Sequence, residues 1–180
     1  FAIEKLGCAP CKSGCPIETS AQGYVALIRE GRYEEAYRLI TKVNPLPGIC
    51  GRVCHHPCED KCQRGDVDQP LSIAYLKRFV VDWVREHGLK NTKAPGPAEK
   101  KGKSVAVIGS GPSGLAAAHD LALEGYDVTI YEALSRPGGM LAVGIPDYRL
   151  PQDVLESEIN AIIDLGVRLR LNAPIGKEIT

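Results

Sequence analysis

All seven cysteines of the chain sit in its first third, as Cys8, Cys11 and Cys15 and then Cys50, Cys54, Cys58 and Cys62. An odd number of thiols at such short intervals makes a poor disulfide framework. Residues 1–6 also lack the basic-then-apolar pattern of an export signal. Thiolates gathered to hold a metal or a cluster are the better explanation, which places the chain in a reducing compartment, the cytoplasm.

The spacing narrows the choice. Cys8-x2-Cys11-x3-Cys15-Pro16 has the form of the bacterial ferredoxin run, in which the cysteine before the proline serves a different cluster from its neighbours. In the second group each cysteine follows the last at an interval that helical turns or tight loops can aim at one point. Two [4Fe–4S] cubanes call for about eight protein ligands, and the cysteines number seven. Zinc is the rival, because thiolate sites suit both. Zinc ribbons use paired C-x2-C knuckles, and only Cys8 and Cys11 form such a pair here. His55 and His56 are further candidate ligands, although a histidine beside a proline in a loop is more often a plain surface residue.

Around these cysteines the sequence reads as helical. Segments 21–30 and 33–41 carry short amphipathic patterns, and the Pro- and Gly-rich stretch 44–48 stops the second. Segment 50–68 is expected to be mostly loop and short turns. Segment 72–86 has Ile73, Leu76, Phe79, Val80, Trp83 and Val84 at helical spacing, with Phe79 and Trp83 read as core. Positions 88–103, with Ala-Pro-Gly-Pro and a Lys-rich run, read as a linker. Strand and helix then alternate: strand 104–108, helix 113–124, strand 128–131, helix 153–165, strand 167–171. That alternation predicts a parallel sheet covered by helices. The expected architecture is multidomain, α plus α/β: a helical cluster domain at 1–87, a linker at 88–103, and at 104–180 the first part of a Rossmann-type βαβ domain.

Lys and Arg together match Asp and Glu at 22 each, so the formal net charge is zero. A nucleic-acid binder working by phosphate neutralisation needs surplus positive charge, so no nucleic-acid partner is expected. No apolar run approaches the ~20 residues of a membrane span.

Gly109-Ser110-Gly111-Pro112-Ser113-Gly114 is a G-x-G-x-x-G turn between an apolar strand and a helix of small residues. Gly109 permits the tight turn, Gly111 lets the backbone approach a pyrophosphate, and Gly114 lets helix and strand pack closely. The helix start offers free N–H groups and a positive dipole end to the anion. Glu132, at the end of the second strand, stands where a carboxylate accepts hydrogen bonds from ribose hydroxyls and would repel a 2′-phosphate. A Gly-rich turn in a non-binding α/β domain is the bland alternative; the strand, helix and acid around it disfavour that. Gly138 and Gly139, followed by Met140 and Leu141, would let backbone approach a bulky cofactor such as an extended flavin. Arg149 lies in the segment that follows.

Taken together, Cys15-Pro16, the run 44–54, Cys58 and Cys62, the segment 109–121, Glu132, and segments 136–141 and 144–151 resemble the glutamate synthase small (beta) subunit family. The N-terminal region of dihydropyrimidine dehydrogenase and other electron-transfer flavoproteins are similar. The resemblance implies two [4Fe–4S] clusters in an all-helical domain, then FAD, then an NAD(P)-binding domain. It implies that Cys15 joins Cys54 and Cys58 at one cluster, and that Cys8 and Cys11 join Cys62 at the other. It also implies Gly109, Gly111, Pro112, Ser113, Gly114, Glu132, Gly138, Gly139, Met140, Leu141 and Arg149 as cofactor contacts. Two departures stand out. The first cysteine group has three members where relatives often carry four. Lys77 falls where some relatives place a Gln or Glu ligand. Cys50, or a residue before Phe1, could fill a vacancy, and a single-cluster form stays open.

The function expected from this resemblance is an electron-transfer module of an NAD(P)H-dependent oxidoreductase, the nicotinamide site lying beyond these residues. NAD(P)H would reduce FAD, and the clusters would feed a redox partner subunit, either like the glutamate synthase large subunit or ferredoxin-linked. No residue reads as a general acid, base or nucleophile. The competing expectation is a non-catalytic docking module stapled by zinc or clusters.

Overall fold

Apolar residues at helical spacing do form helices where the sequence places them: α2 (Ala21–Arg29) and α3 (Tyr33–Thr41) are both present. The computed structural model describes residues 8–88 and 99–176, and the chain divides into two units, Phe1–Lys90 and Asn91–Thr180. The expected linker falls largely on 89–98, outside the described residues.

In the first unit, α2, α3 and the long α6 (Ile73–His87) pack on one another. Their shared core holds Ala21, Tyr24, Ala36, Ile40, Ile73 and Val80. Tyr24 is fully buried, and its hydroxyl donates to the Ile73 carbonyl oxygen at 3.2 Å, so the polar end of the ring is satisfied. The buried stripe of α6 is Ile73, Lys77, Val80, Val81 and Val84. Phe79 lies off that stripe and is exposed, which corrects its reading as core. It meets Tyr33 edge-on at 5.3 Å between ring centroids. Trp83 is half-buried, 5.0 Å from Tyr33 and stacked at 4.5 Å on His87.

Segment 50–68 is more helical than expected. It holds most of α4 (Pro47–Val53), then α5 (Pro57–Asp60) and a 3-10 turn, Gln63–Asp66. The reason is the position of the prolines. Pro47 and Pro57 each stand in a first helical turn, where the fixed φ suits the helix and the missing N–H is no loss. The chain turns into α5 through His56, which adopts a left-handed φ of 49°. Helix α4 is fastened to α6 by Arg52: its Nη2 donates to Asp82 Oδ1 at 2.6 Å and its Nη1 to the Gly48 carbonyl oxygen at 3.2 Å. The short α1 (Pro10–Ser13) packs on α5.

The second unit holds a parallel three-stranded sheet in the order β1 (Ser104–Ile108), β2 (Asp127–Tyr131), β3 (Arg168–Arg170). Ser104 is paired with Asp127 and Ile108 with Tyr131; Thr129 pairs with Arg168. Parallel neighbours require crossovers. Helix α7 (Pro112–Leu123) makes the first, and α8 (Met140–Val143) with α9 (Gln152–Ile163) lies in the second. Leu115 of α7, Val128 and Ile130 of β2, and Leu155 and Ile162 of α9 are all buried in this unit.

Candidate functional site

The cysteine site is assembled by short elements. Cys11 lies in α1, Cys50 in α4 and Cys58 in α5; Cys15 follows α1 and Cys54 ends α4. All seven thiols are free, with Cys8 exposed and the others half-buried. Cys58 lies within electrostatic reach of Cys15 and Cys54. Tyr24 feels Cys58, Cys15 and Cys11 in turn, so these sulfurs share one neighbourhood above the helical core. Gly14 holds the two cysteine groups close: a Cβ there would stand 2.9 Å from Lys61 Cγ and 3.1 Å from the Pro57 carbonyl oxygen.

The sulfurs sit in distinct environments. Burial pushes the Cys58 thiol up to about 11; Lys77 opposes this, and the charges of Cys15, Glu59 and Cys54 add to it. Burial pushes Cys15 the same way, but hydrogen bonds from the Thr19 side chain and from backbone at Thr19 and Ile17, with the Lys77 charge, hold it below the usual thiol value. The Cys15 sulfur and the Thr19 hydroxyl are 3.6 Å apart. The His56 backbone N–H donates to Cys54 Sγ at 3.3 Å. Burial and the charges of Cys58, Cys15, Cys11 and Glu59 raise Tyr24 far above its usual value. The Cys50 thiol is 3.7 Å from Asn44 Oδ1. The His56 ring lies 3.8 Å from Glu59, and its Nδ1 is 3.2 Å from the Cys54 carbonyl oxygen.

This donor set fits an iron–sulfur cluster. Thiolates are its ligands, and hydrogen bonds to sulfur of the kind Cys54 and Cys15 accept help set its potential. Among the described residues, no three His, Cys, Asp or Glu side chains converge at the spacing of a single metal ion.

The Gly-rich turn of the second unit is built for close approach. Gly109 has φ 90°, and its N–H donates to the Tyr131 carbonyl oxygen at 2.8 Å, seating the turn on β2. Gly114 has no room for a side chain, since a Cβ would collide with the Gly109 carbonyl oxygen. Gly111 caps α7 and faces open space. Gly139 comes over it, a Cβ there standing 2.9 Å from Gly111 Cα. The two glycine segments thus form one cradle at the start of α7. Pro112, Ser113, Met140 and Arg149 are exposed, while Gly138 and Leu141 are buried.

Glu132 is engaged inward. Ser110 donates to its Oε2 from the backbone N–H at 2.8 Å and from the hydroxyl at 2.5 Å, and the Leu134 N–H donates to Oε1 at 2.9 Å. Burial would push its pKa up, but the Ser110 hydroxyl and backbone N–H groups prevail and hold it below the usual carboxylate range. The backbone of Ala133 adds to these donors. The Ser110 hydroxyl also accepts from the Gly138 N–H at 3.1 Å. Ser110 therefore ties Glu132 and both glycine segments together. Sequence reasoning missed it, because the motif leaves that position open.

Two family models match the chain. Residues 5–89 match the family described as dihydropyrimidine dehydrogenase domain II, 4Fe-4S cluster. Residues 107–167 match the NAD(P)-binding Rossmann-like domain. The chain carries a 4Fe-4S cluster domain followed by a Rossmann-like domain. Three relatives extend over both. The beta subunit of NADP(+)-dependent formate dehydrogenase from Moorella thermoacetica is 46% identical over 96% of the chain and 27% of that protein. The beta subunit of NADPH-Fe(3+) oxidoreductase from Geobacter sulfurreducens is 45% identical over 96% of the chain and 26% of that protein. Glutamate synthase [NADH] from Schizosaccharomyces pombe is 39% identical over 93% of the chain and 8% of that protein. The chain thus spans about a quarter of the first two relatives. The expected resemblance holds, and the relatives are oxidoreductases. Among the described residues no helix is long and apolar enough to cross a membrane.

Proposed function

We propose that the chain is the electron-transfer module of a cytoplasmic NAD(P)H-dependent oxidoreductase, holding [4Fe–4S] clusters in its first unit and FAD in its second. The observation that carries this reading is the shared neighbourhood of Cys15, Cys54 and Cys58 in a domain of cluster type. FAD supplies the step between two-electron hydride chemistry and one-electron transfer, and the clusters carry single electrons. Cys15, Cys54 and Cys58 are the ligands of one cluster; Cys8, Cys11 and Cys62 serve the other. Cys50, beside Asn44, is the candidate for a remaining ligand. In the second unit, Gly109, Gly111, Pro112, Ser113 and Gly114 receive the pyrophosphate at the start of α7, and Glu132 receives the ribose. Gly138, Gly139, Met140, Leu141 and Arg149 border the rest of the cofactor. The electrons pass to a redox partner subunit, in keeping with relatives that are themselves named subunits.

The test is the visible spectrum of anaerobically purified protein, with iron, sulfide, zinc and flavin assays. About eight irons per chain would mean two cubanes, and about four would mean one. Flavin bands should accompany them. Zinc without iron, sulfide or flavin would replace this reading with that of a structural docking module.

A further inference from the structure

After α1 the chain runs through Cys15-Pro16-Ile17-Glu18, a turn closed by the Glu18 N–H, which donates to the Cys15 carbonyl oxygen at 2.9 Å. Pro16 stands second in that turn, where its fixed φ is favoured. Glu18 then takes a left-handed φ of 51°, uncommon for a residue that carries a Cβ. Such conformations persist where the surrounding structure holds them, and they cluster at functional sites. Immediately beyond this reversal Thr19 is buried, only 2% exposed, although it lies in the short connection ahead of α2. Its hydroxyl oxygen stands 3.6 Å from Cys15 Sγ. Among the described residues that hydroxyl has no other hydrogen-bond partner. Buried hydroxyls are as a rule hydrogen-bonded, and here the turn supplies the sulfur. The direction of the bond depends on the state of Cys15. A thiol can donate its proton to the threonine oxygen; a thiolate has none and can only accept, so the hydroxyl must then donate.

We infer that Thr19 is a tuning residue for the cluster held by Cys15, Cys54 and Cys58: its hydroxyl donates to the Cys15 sulfur and raises the reduction potential of that cluster without ligating iron. The inference rests on the proposed cluster function of the first unit. A cubane with its thiolates is more negative after it takes up an electron than before. A donor aimed at a ligand sulfur therefore stabilises the reduced form more than the oxidised one, and hydrogen bonds to the sulfurs are among the protein's levers on such potentials. Thr19 acts through Cys15; it carries no electron and forms no bond to iron.

The test compares the full-length protein with its Thr19→Val, Thr19→Ala and Thr19→Ser variants. Valine keeps the volume and replaces the hydroxyl by a methyl group; alanine removes the hydroxyl without adding bulk; serine keeps the hydroxyl. Each is titrated anaerobically with dithionite as the one-electron donor and followed by electron paramagnetic resonance. A Cys15→Ser variant identifies which signal belongs to this cluster. Thr19→Val and Thr19→Ala should keep the parent's iron and sulfide content while reduction of that one cluster becomes about tenfold less favourable, a shift of about 59 mV to lower potential. Thr19→Ser should stay close to the parent. Three results would overturn the inference: an unmoved potential in the two variants without a hydroxyl, an equal shift in Thr19→Ser, which would make packing the cause, or loss of iron in both Thr19→Val and Thr19→Ala, which would make Thr19 an assembly residue. A parent protein without iron and sulfide would instead overturn the cluster reading itself.

Discussion

At the residue scale, Glu132 is a structural hub that the proposed reading also makes a binding group. Three donors converge on its carboxylate, two from Ser110 and one from Leu134. In Glu132→Gln only one oxygen can accept, so an amide N–H must face another donor. Stranding a buried donor costs about 1–3 kcal/mol, and urea unfolding of the second unit at neutral pH should show a loss of that size. The pH dependence follows from the direction of the shift. The folded carboxylate is held below its ordinary value of 4.5. Its stabilising effect is thus fully present above that value and disappears as pH falls through the lower, folded one. The gap in stability between the parent and Glu132→Gln should close in acid. A gap that stays constant with pH would mean that the charge is not what the three donors read. The sequence announced Glu132 through its place after β2 but gave no sign of Ser110, whose role depends on two loops meeting in space. Lys77 was more legible than it was read. It is four residues after Ile73 and three before Val80, on the same helical face, so periodicity alone placed it inside. The same periodicity put Phe79 outside.

At the element scale, the start of α7 separates two kinds of glycine. Gly114 is needed by the fold, because any Cβ would strike the backbone oxygen of Gly109 and neither helix nor turn can yield cheaply. Gly111 has φ −68° and nothing near its absent Cβ, so the fold does not require glycine there. The expected outcomes differ accordingly. Gly114→Ala should destabilise the second unit by about 1–3 kcal/mol, the usual cost of forced overpacking, and lose flavin with it. Gly111→Ala should unfold within about 1 kcal/mol of the parent, since the change at a helix N-cap is modest, yet bind FAD more weakly. Equilibrium unfolding and flavin titration of both variants would check this. Normal flavin affinity in Gly111→Ala would remove the turn from the binding site. The strands and long helices were legible because their periodicities are sustained. Helices α4 and α5 were not, because each is shorter than the window in which a period can be recognised and each begins with a proline.

At the scale of the whole molecule, the two units differ in what holds them together. The second has a sheet with helices packed on it and a buried apolar interior. The first has its core in α2, α3 and α6, with Pro47 and Ile49 of α4 also buried. Its cysteines are carried by α1 and α5, of four residues each, by α4, of seven, and by the turns between. Helices this short are far below the ~12–15 residues at which isolated helices begin to persist in water, and the buried residues of α1 and α5 number none. A cluster bonded to thiolates from separate segments would close these loops together, so its binding energy is in part folding energy. Oxidative removal of iron with a chelator should therefore lower the thermal transition of the first unit and leave that of the second in place. Hydrogen exchange should then rise at residues 8–19 and 54–66, while α2, α3 and the buried face of α6 stay protected. Saturating FAD should do the reverse, raising only the transition of the second unit by about 2.7 kcal/mol at a hundred times its dissociation constant. If iron removal left both transitions and the exchange of 8–19 unchanged, the short helices would have to be held by the protein alone, and the cluster would be a passenger in a site already formed.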